Sequence, residues 1–155
     1  MKYVILWFRM FYGAHLLYSS LRHYFTQFNA QIPGVGGRFV DSLVETGLYE
    51  FVKATEGVVG ICLILNLFVP LMLVIELPFS IVIFHLNFFI VAQGYQLFTG
   101  PQEIFLNGLL MVFYGGYYKS MLQARVAPLP LWQPVTPAEI FASLERDTSE
   151  KGTQP

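Results

Sequence analysis

Charge is what this chain has least of. Only 12% of its 155 residues are charged, against 55% hydrophobic, and the mean hydropathy is +0.54. A soluble domain carries about 25% charged residues, and a chain this short leaves much of its surface outside any core. A soluble globule is therefore excluded as the expectation. The formal net charge is −1, so there is no basic excess to hold a phosphate backbone, and nucleic acid is excluded as a partner. The single cysteine, Cys62, excludes disulfide frameworks, CxxC redox chemistry and thiolate metal clusters. These absences leave an integral membrane protein with one domain.

What is present is apolar sequence in long runs. Between Ala54 and Tyr118 the only charged residues are Glu56, Glu76 and Glu103. A helix crossing a hydrocarbon core about 30 Å thick needs roughly 20 mostly apolar residues. Four stretches of that kind are expected as spans, about 3–24, 48–69, 71–93 and 101–122. Pro70 marks the boundary between the second and third. Thr99-Gly100-Pro101 reads as a turn opening the fourth, with proline in its first helical turn. The first stretch has the basic start of a signal peptide at Lys2. Arg9 interrupts its apolar run, however, and no small-residue cleavage site follows, so it is expected to be retained.

The predicted fold class is all-α: an integral membrane four-helix bundle with a short interfacial helix between spans one and two. That short helix comes from the long first connection. Ile32-Pro33-Gly34-Val35-Gly36-Gly37 is loop chemistry. Beyond it Phe39, Val40, Leu43, Val44 and Leu48 recur at helical spacing, with Arg38, Asp41, Ser42 and Glu45 on the other face. The pattern suits either a helix in the interface plane or a cap across the bundle mouth. Residues 1–123 thus form the membrane bundle and 124–155 a proline-rich peripheral tail, in which Thr136-Pro137-Ala138-Glu139 resembles a helix-capping box. An even number of spans puts both termini on one side. Lys2, Lys119 and Arg125 flank that side and Arg22, Arg38 and Lys53 the other, a nearly balanced count from which cytoplasmic termini are the expectation.

Ionisable side chains inside a membrane face the bundle interior and have partners, which makes them the informative residues. Arg9, Tyr12, His15, Ser19 and Arg22 follow at three- and four-residue steps down one face of span one. Glu50, Lys53, Glu56, Gly57 and Gly60 do so on span two, and Glu103, Asn107, Tyr114 and Tyr118 on span four. On span three Glu76, Ser80 and Asn87 share a face, while His85 lies about half a turn round from Glu76. Both cannot enter one narrow bundle, so one of them is expected to face a partner or the headgroups. The candidate intramembrane network is therefore Arg9, His15, Ser19, Arg22, Glu56, Glu76, His85 and Asn107. Arg9 with Glu56 reads as a buried structural ion pair. His15 and His85, near mid-span on parallel helices, also have the placement needed to hold a b-type haem, against the ordinary reading as hydrogen-bonded core residues.

Four segments together resemble one family. Arg9-x3-Gly13-x5-Ser19-x2-Arg22 is similar to the first-helix pattern of DoxX-like membrane proteins, with Ser19 in place of a glycine and Arg22 in place of a lysine. Glu56-Gly57-Val58-Val59-Gly60 resembles the second-helix pattern. Leu71 to Phe89, with Pro70 before it and Phe84-His85-Leu86 inside, resembles the third, and Asn107 with the run Tyr114 to Tyr118 the fourth. The resemblance covers about residues 3–123 and implies a four-helix membrane bundle in the service of another protein. Some relatives are small subunits of quinone-linked thiosulfate oxidation. Arg22 keeps the charge of the lysine it replaces but not its capacity to transfer a proton, because guanidinium does not deprotonate in proteins.

The function expected is an accessory or scaffold subunit of a redox-linked, quinone-dependent assembly in the bacterial inner membrane, without independent activity. Its partners are the lipid bilayer and a membrane protein or a second copy of the chain. No cofactor is assigned. The alternative is a quinone-binding or haem-binding redox component, with Arg9, His15, Glu56 and His85 around a pocket where histidine bonds a quinone carbonyl and a carboxylate exchanges the proton. A small transporter is a third reading, for which the two halves show no inverted repeat.

Overall fold

The computed structural model describes residues 2–26, 32 and 34–122, and among these every regular element is helical, with no strand. The helices are α1 (Lys2–Thr26), α2 (Gly34–Glu45), α3 (Leu48–Leu65), α4 (Val69–His85) and α5 (Gln96–Phe113). A π-helical segment, Leu86–Val91, prolongs α4, and a 3-10 segment, Gly115–Leu122, follows α5. Tyr117–Leu122 belong to a second unit of the chain. The tail 124–155, with its expected capping box, lies outside the described residues.

The continuous helix Val69–Val91 is the one described helix long and apolar enough, by length and composition, to cross a membrane. The other long helices carry charge. Lys2, Arg9 and Arg22 lie on α1, and Glu50, Lys53 and Glu56 are crowded into the first half of α3.

Residue pairings give the topology. From α1 to α3, Arg9 meets Asn66, Gly13 meets Gly60, Ser19 meets Lys53 and His23 meets Glu50. The partner numbers fall as the first numbers rise, so these helices are antiparallel. Tyr12 with Asn107 and His15 with Glu103 make α5 antiparallel to α1 as well. Gly100 beside Phe84 and Asn107 on the Leu73 carbonyl do the same for α5 and α4. The result is an up-down-up-down arrangement. Tyr12, Leu16, Val59, Leu63, Leu73, Leu106 and Leu110 form its apolar core.

Glycines set how closely α1 and α3 approach. A Cβ on Gly60 would lie 2.8 Å from the Gly13 carbonyl oxygen, and one on Gly13 would lie 3.0 Å from that of Gly60. The two backbones are in contact, as small residues permit between helices. At the end of α3 the chain turns through two left-handed residues, Asn66 (φ 60) and Phe68 (φ 49). Asn66 caps the helix through its N–H on the Cys62 and Leu63 carbonyls.

One expectation about a boundary is corrected. Thr99-Gly100-Pro101 is not the turn that opens the last long helix; α5 begins at Gln96 and these residues lie inside it. Gly100 packs against the Phe84 backbone and the Asn87 Cβ, and Asn87 Nδ2 donates to Thr99 Oγ1 at 3.2 Å. Those contacts with the preceding helix hold an extra turn that turn chemistry alone does not reveal. The span expected over about 71–93 corresponds to the continuous helix Val69–Val91, of which only the first part is regular α-helix. That part ends at His85, the π-helical segment takes over, and Ala92 (φ 47) closes it.

The helix expected in the first connection is α2. It packs through Gly36 on Val91 and through Val40 on Leu86 and Val91, with Ile32 and Tyr49 alongside.

Candidate functional site

Polar side chains collect in the middle of this bundle. Arg9, Ser20, His23, Glu56, Glu76, Ser80, Glu103 and Asn107 are all buried. They divide into local sets whose members come from different helices.

The first set joins α1 and α3. Lys53 Nζ donates to both Glu56 oxygens, at 2.9 and 2.7 Å, and to Ser19 Oγ at 2.9 Å. An ammonium has three donors, and all three are used. Glu56 is 1% exposed, so this is a desolvated pair in which each charge depends on the other. One turn nearer the start of α3, His23 Nε2 lies 2.8 Å from Glu50 Oε1. The His23 ring stands edge-on to Tyr49, over which Lys53 also sits.

The second set links α1, α4 and α5. Asn107 Nδ2 donates to Tyr12 Oη at 3.4 Å and to the Leu73 carbonyl at 3.2 Å. Tyr12 Oη, accepting from Asn107, is left to donate to Ser80 Oγ at 3.1 Å. Tyr12, Ser80 and Asn107 are each fully buried. Close by on the same faces, His15 Nε2 is 3.3 Å from Glu103 Oε1.

Glu76 belongs to neither set. It is 0% exposed and neither of its oxygens has a hydrogen-bond partner. Of the two residues that cannot share the interior it is Glu76 that enters, because Glu76 and Ser80 turn inward one helical turn apart.

The remaining candidates are placed as follows. Arg9 bonds Asn66 at the end of α3, not Glu56, so the expected ion pair does not form. The Gly13–Gly60 contact explains this: with α1 and α3 antiparallel, Arg9 falls opposite residues near 64–66, about 12 Å along the axis from Glu56. Ser19 is in the interior network. Arg22 is exposed, because the buried stripe of α1 runs through Leu16, Ser20 and His23 and leaves Arg22 on the flank. His85 is exposed too, its ring 5.5 Å from that of Phe89. His15 turns to Glu103 instead, so the two imidazoles do not face a common haem. The four residues expected around a quinone are not gathered, since Arg9, His15, Glu56 and His85 each turn to a different neighbour. Among the described residues no group of three or more His, Cys, Asp and Glu side chains is placed to hold a metal ion.

Comparison leaves the chain on its own. No family model, no curated protein and no solved structure matches it. Its reading rests on the geometry.

Lys53 and Glu103 stand in the polar stripes of the sequence but outside the candidate network, and His23 and Asn66 stand in neither; all four take part in the site. Lys53 stands three residues before Glu56, the spacing at which helical side chains meet, and that signal was available. The pairing of Asn66 with Arg9 depends on a helix register and left no local signal.

Proposed function

We propose that this protein is an integral membrane four-helix bundle, DoxX-like in character, that serves as an accessory subunit of a redox-linked assembly in the bacterial inner membrane. The observation that carries this reading is the inverted distribution of polarity. Arg9, Lys53, Glu56, Glu103 and Asn107 turn inward and are partnered there, while large apolar side chains on all the long helices face outward. They include Trp7 and Tyr18 on α1, Phe51 and Val58 on α3, Ile81 and Val82 on α4, and Phe105 and Val112 on α5. An apolar exterior of this extent suits lipid or a partner, not water. The helices α1, α3 and α5 cross with their inward charges partnered, Lys53 by Glu56, Glu103 by His15 and Arg9 by Asn66.

An accessory role accords with how the polar residues are used. Lys53, Glu56 and Ser19 spend their hydrogen bonds on each other, as do Tyr12, Ser80 and Asn107, which is how residues act when they hold helices together. His85 supplies the other half of the reading. It lies on the outer face of the most apolar helix beside Phe88 and Phe89, both exposed. An imidazole there gains from a polar contact supplied by a partner subunit.

Purification of the tagged chain from native membranes in mild detergent tests the proposal. A stoichiometric oxidoreductase companion, lost on His85→Leu while the bundle stays folded, is the expected outcome. A folded bundle that purifies alone from membranes with no companion overturns it.

A further inference from the structure

Three helices each bring one glutamate into the interior: Glu56 from α3, Glu76 from α4 and Glu103 from α5. Two of the three are accounted for. Glu56 is held by Lys53 and Glu103 by His15. Glu76 is fully buried with both oxygens unpartnered, while Glu56 and Glu103 stand near enough to repel a charge on it and Lys53 to attract one.

The groups facing Glu76 are therefore known from every packed element. Tyr12 comes from α1, Lys53 and Glu56 from α3, and Glu103 from α5, with Ser80 and Asn107 bonded to Tyr12. Lys53 has all three of its donors committed. The unpartnered buried atoms in this part of the bundle are Glu76 Oε1 and Oε2, Glu103 Oε2 and Asn107 Oδ1, and every one is an acceptor. The other two unpartnered atoms, Arg9 Nε and His23 Nδ1, lie toward the opposite ends of α1. Asn107 makes the point independently of the carboxylates: its amide donates twice while its own oxygen, fully buried, receives nothing.

Four acceptors without a donor describe a site that lacks hydrogen. A buried carboxylate left without a partner is costly enough that the group takes a proton instead. No described cluster is arranged for a metal ion, and a proton needs no cavity. We propose that Glu76 is a proton-binding site at the centre of the bundle, resident as the neutral carboxylic acid in an interior that also holds the unpartnered oxygens of Glu103 and Asn107. Loading it is a simple association: a proton joins one carboxylate oxygen and no other bond breaks. The assignment goes beyond the accessory reading and does not depend on it, because a protonated Glu76 is required by its burial whether or not a partner subunit exists.

A hydrophobic carbodiimide tests this on the full chain in vesicles. The reagent adds a protonated carboxyl across its C=N bond, and acyl migration then leaves a stable N-acylurea, which peptide mass spectrometry locates. The expected result is a label on Glu76 and not on Glu56, unchanged when sodium replaces choline at constant ionic strength. In parallel, the infrared spectrum should contain the carbonyl stretch of a neutral carboxylic acid, absent from Glu76→Gln and retained in Glu56→Gln. Protection of Glu76 by sodium overturns the proposal in favour of an alkali-cation site. A folded wild-type protein with neither the label nor the band overturns it outright, and this reading needs no variant to fold.

Discussion

Lys53 is the residue on which the α1–α3 interior depends. One ammonium satisfies both oxygens of Glu56 and the hydroxyl of Ser19. Removing one member of a buried ion pair strands the other, at a cost of about 3–5 kcal/mol, while replacing both by apolar groups is often neutral. Lys53→Met should therefore lower thermal stability in detergent sharply, and the double change Lys53→Met, Glu56→Leu should recover most of the loss. Ser19→Ala removes a single acceptor and should cost about 1 kcal/mol. Thermal unfolding followed by circular dichroism distinguishes the three. At this scale the sequence was half legible. Glu56 stood out as one of only three charges between Ala54 and Tyr118, but its partner did not. Arg9 has the right sign, lies on another helix and suggests a tertiary pair, whereas the real partner lies one turn back on the same helix. Charge type alone cannot choose between them without the helix register.

At the scale of the element, contact between backbones decides. Gly13 and Gly60 let α1 and α3 meet with no side chain between them. Gly60→Val forces the helices apart and should cost about 1–3 kcal/mol by overpacking. Gly108 has nothing within 4 Å of the position a Cβ would take. Gly108→Ala should therefore be neutral or stabilise by up to about 1 kcal/mol, through helix propensity alone. The comparison separates close approach from glycine flexibility, and melting temperatures of the two variants measure it. The helices themselves were legible, since long apolar runs divided at Pro70 placed α3 and α4 nearly where they are. Their ends were less so. Pro101 looked like a beginning because proline is favoured there, yet the packing of Gly100 on Phe84 carries α5 a further turn upstream.

Across the whole molecule, the antiparallel order puts the turn between α3 and α4 at the same end as the start of α1, and the turn before α5 at the other. In the four-span reading these turns lie on opposite sides of a membrane. Single cysteines at Leu67 and Tyr95, in a chain carrying Cys62→Ser, should be labelled by an impermeant maleimide from opposite sides of oriented vesicles. Labelling of both from one side would remove the four-span reading. Among the described residues the order of the helices could be read from the apolar runs and from the helical spacing of Phe39, Val40, Leu43 and Val44. The facing of His85 away from Glu76 followed from helical angles. Which polar residues meet could not be read, because that is set by the glycine contact that fixes one helix against another. The π-helical segment Leu86–Val91 has a meaning of its own in this light. A π turn spends one residue more than an α turn over the same stretch, so it is where a helix absorbs an inserted residue without disturbing what lies on either side. Without that extra residue, everything after it would swing by about 100° around the axis. Val91 would leave α2, and Asn87 and Thr99 would part. The surplus residue keeps the two ends of this long helix in separate registers, one set by the polar interior at Glu76 and Ser80, the other by the seat of α2 on Leu86 and Val91.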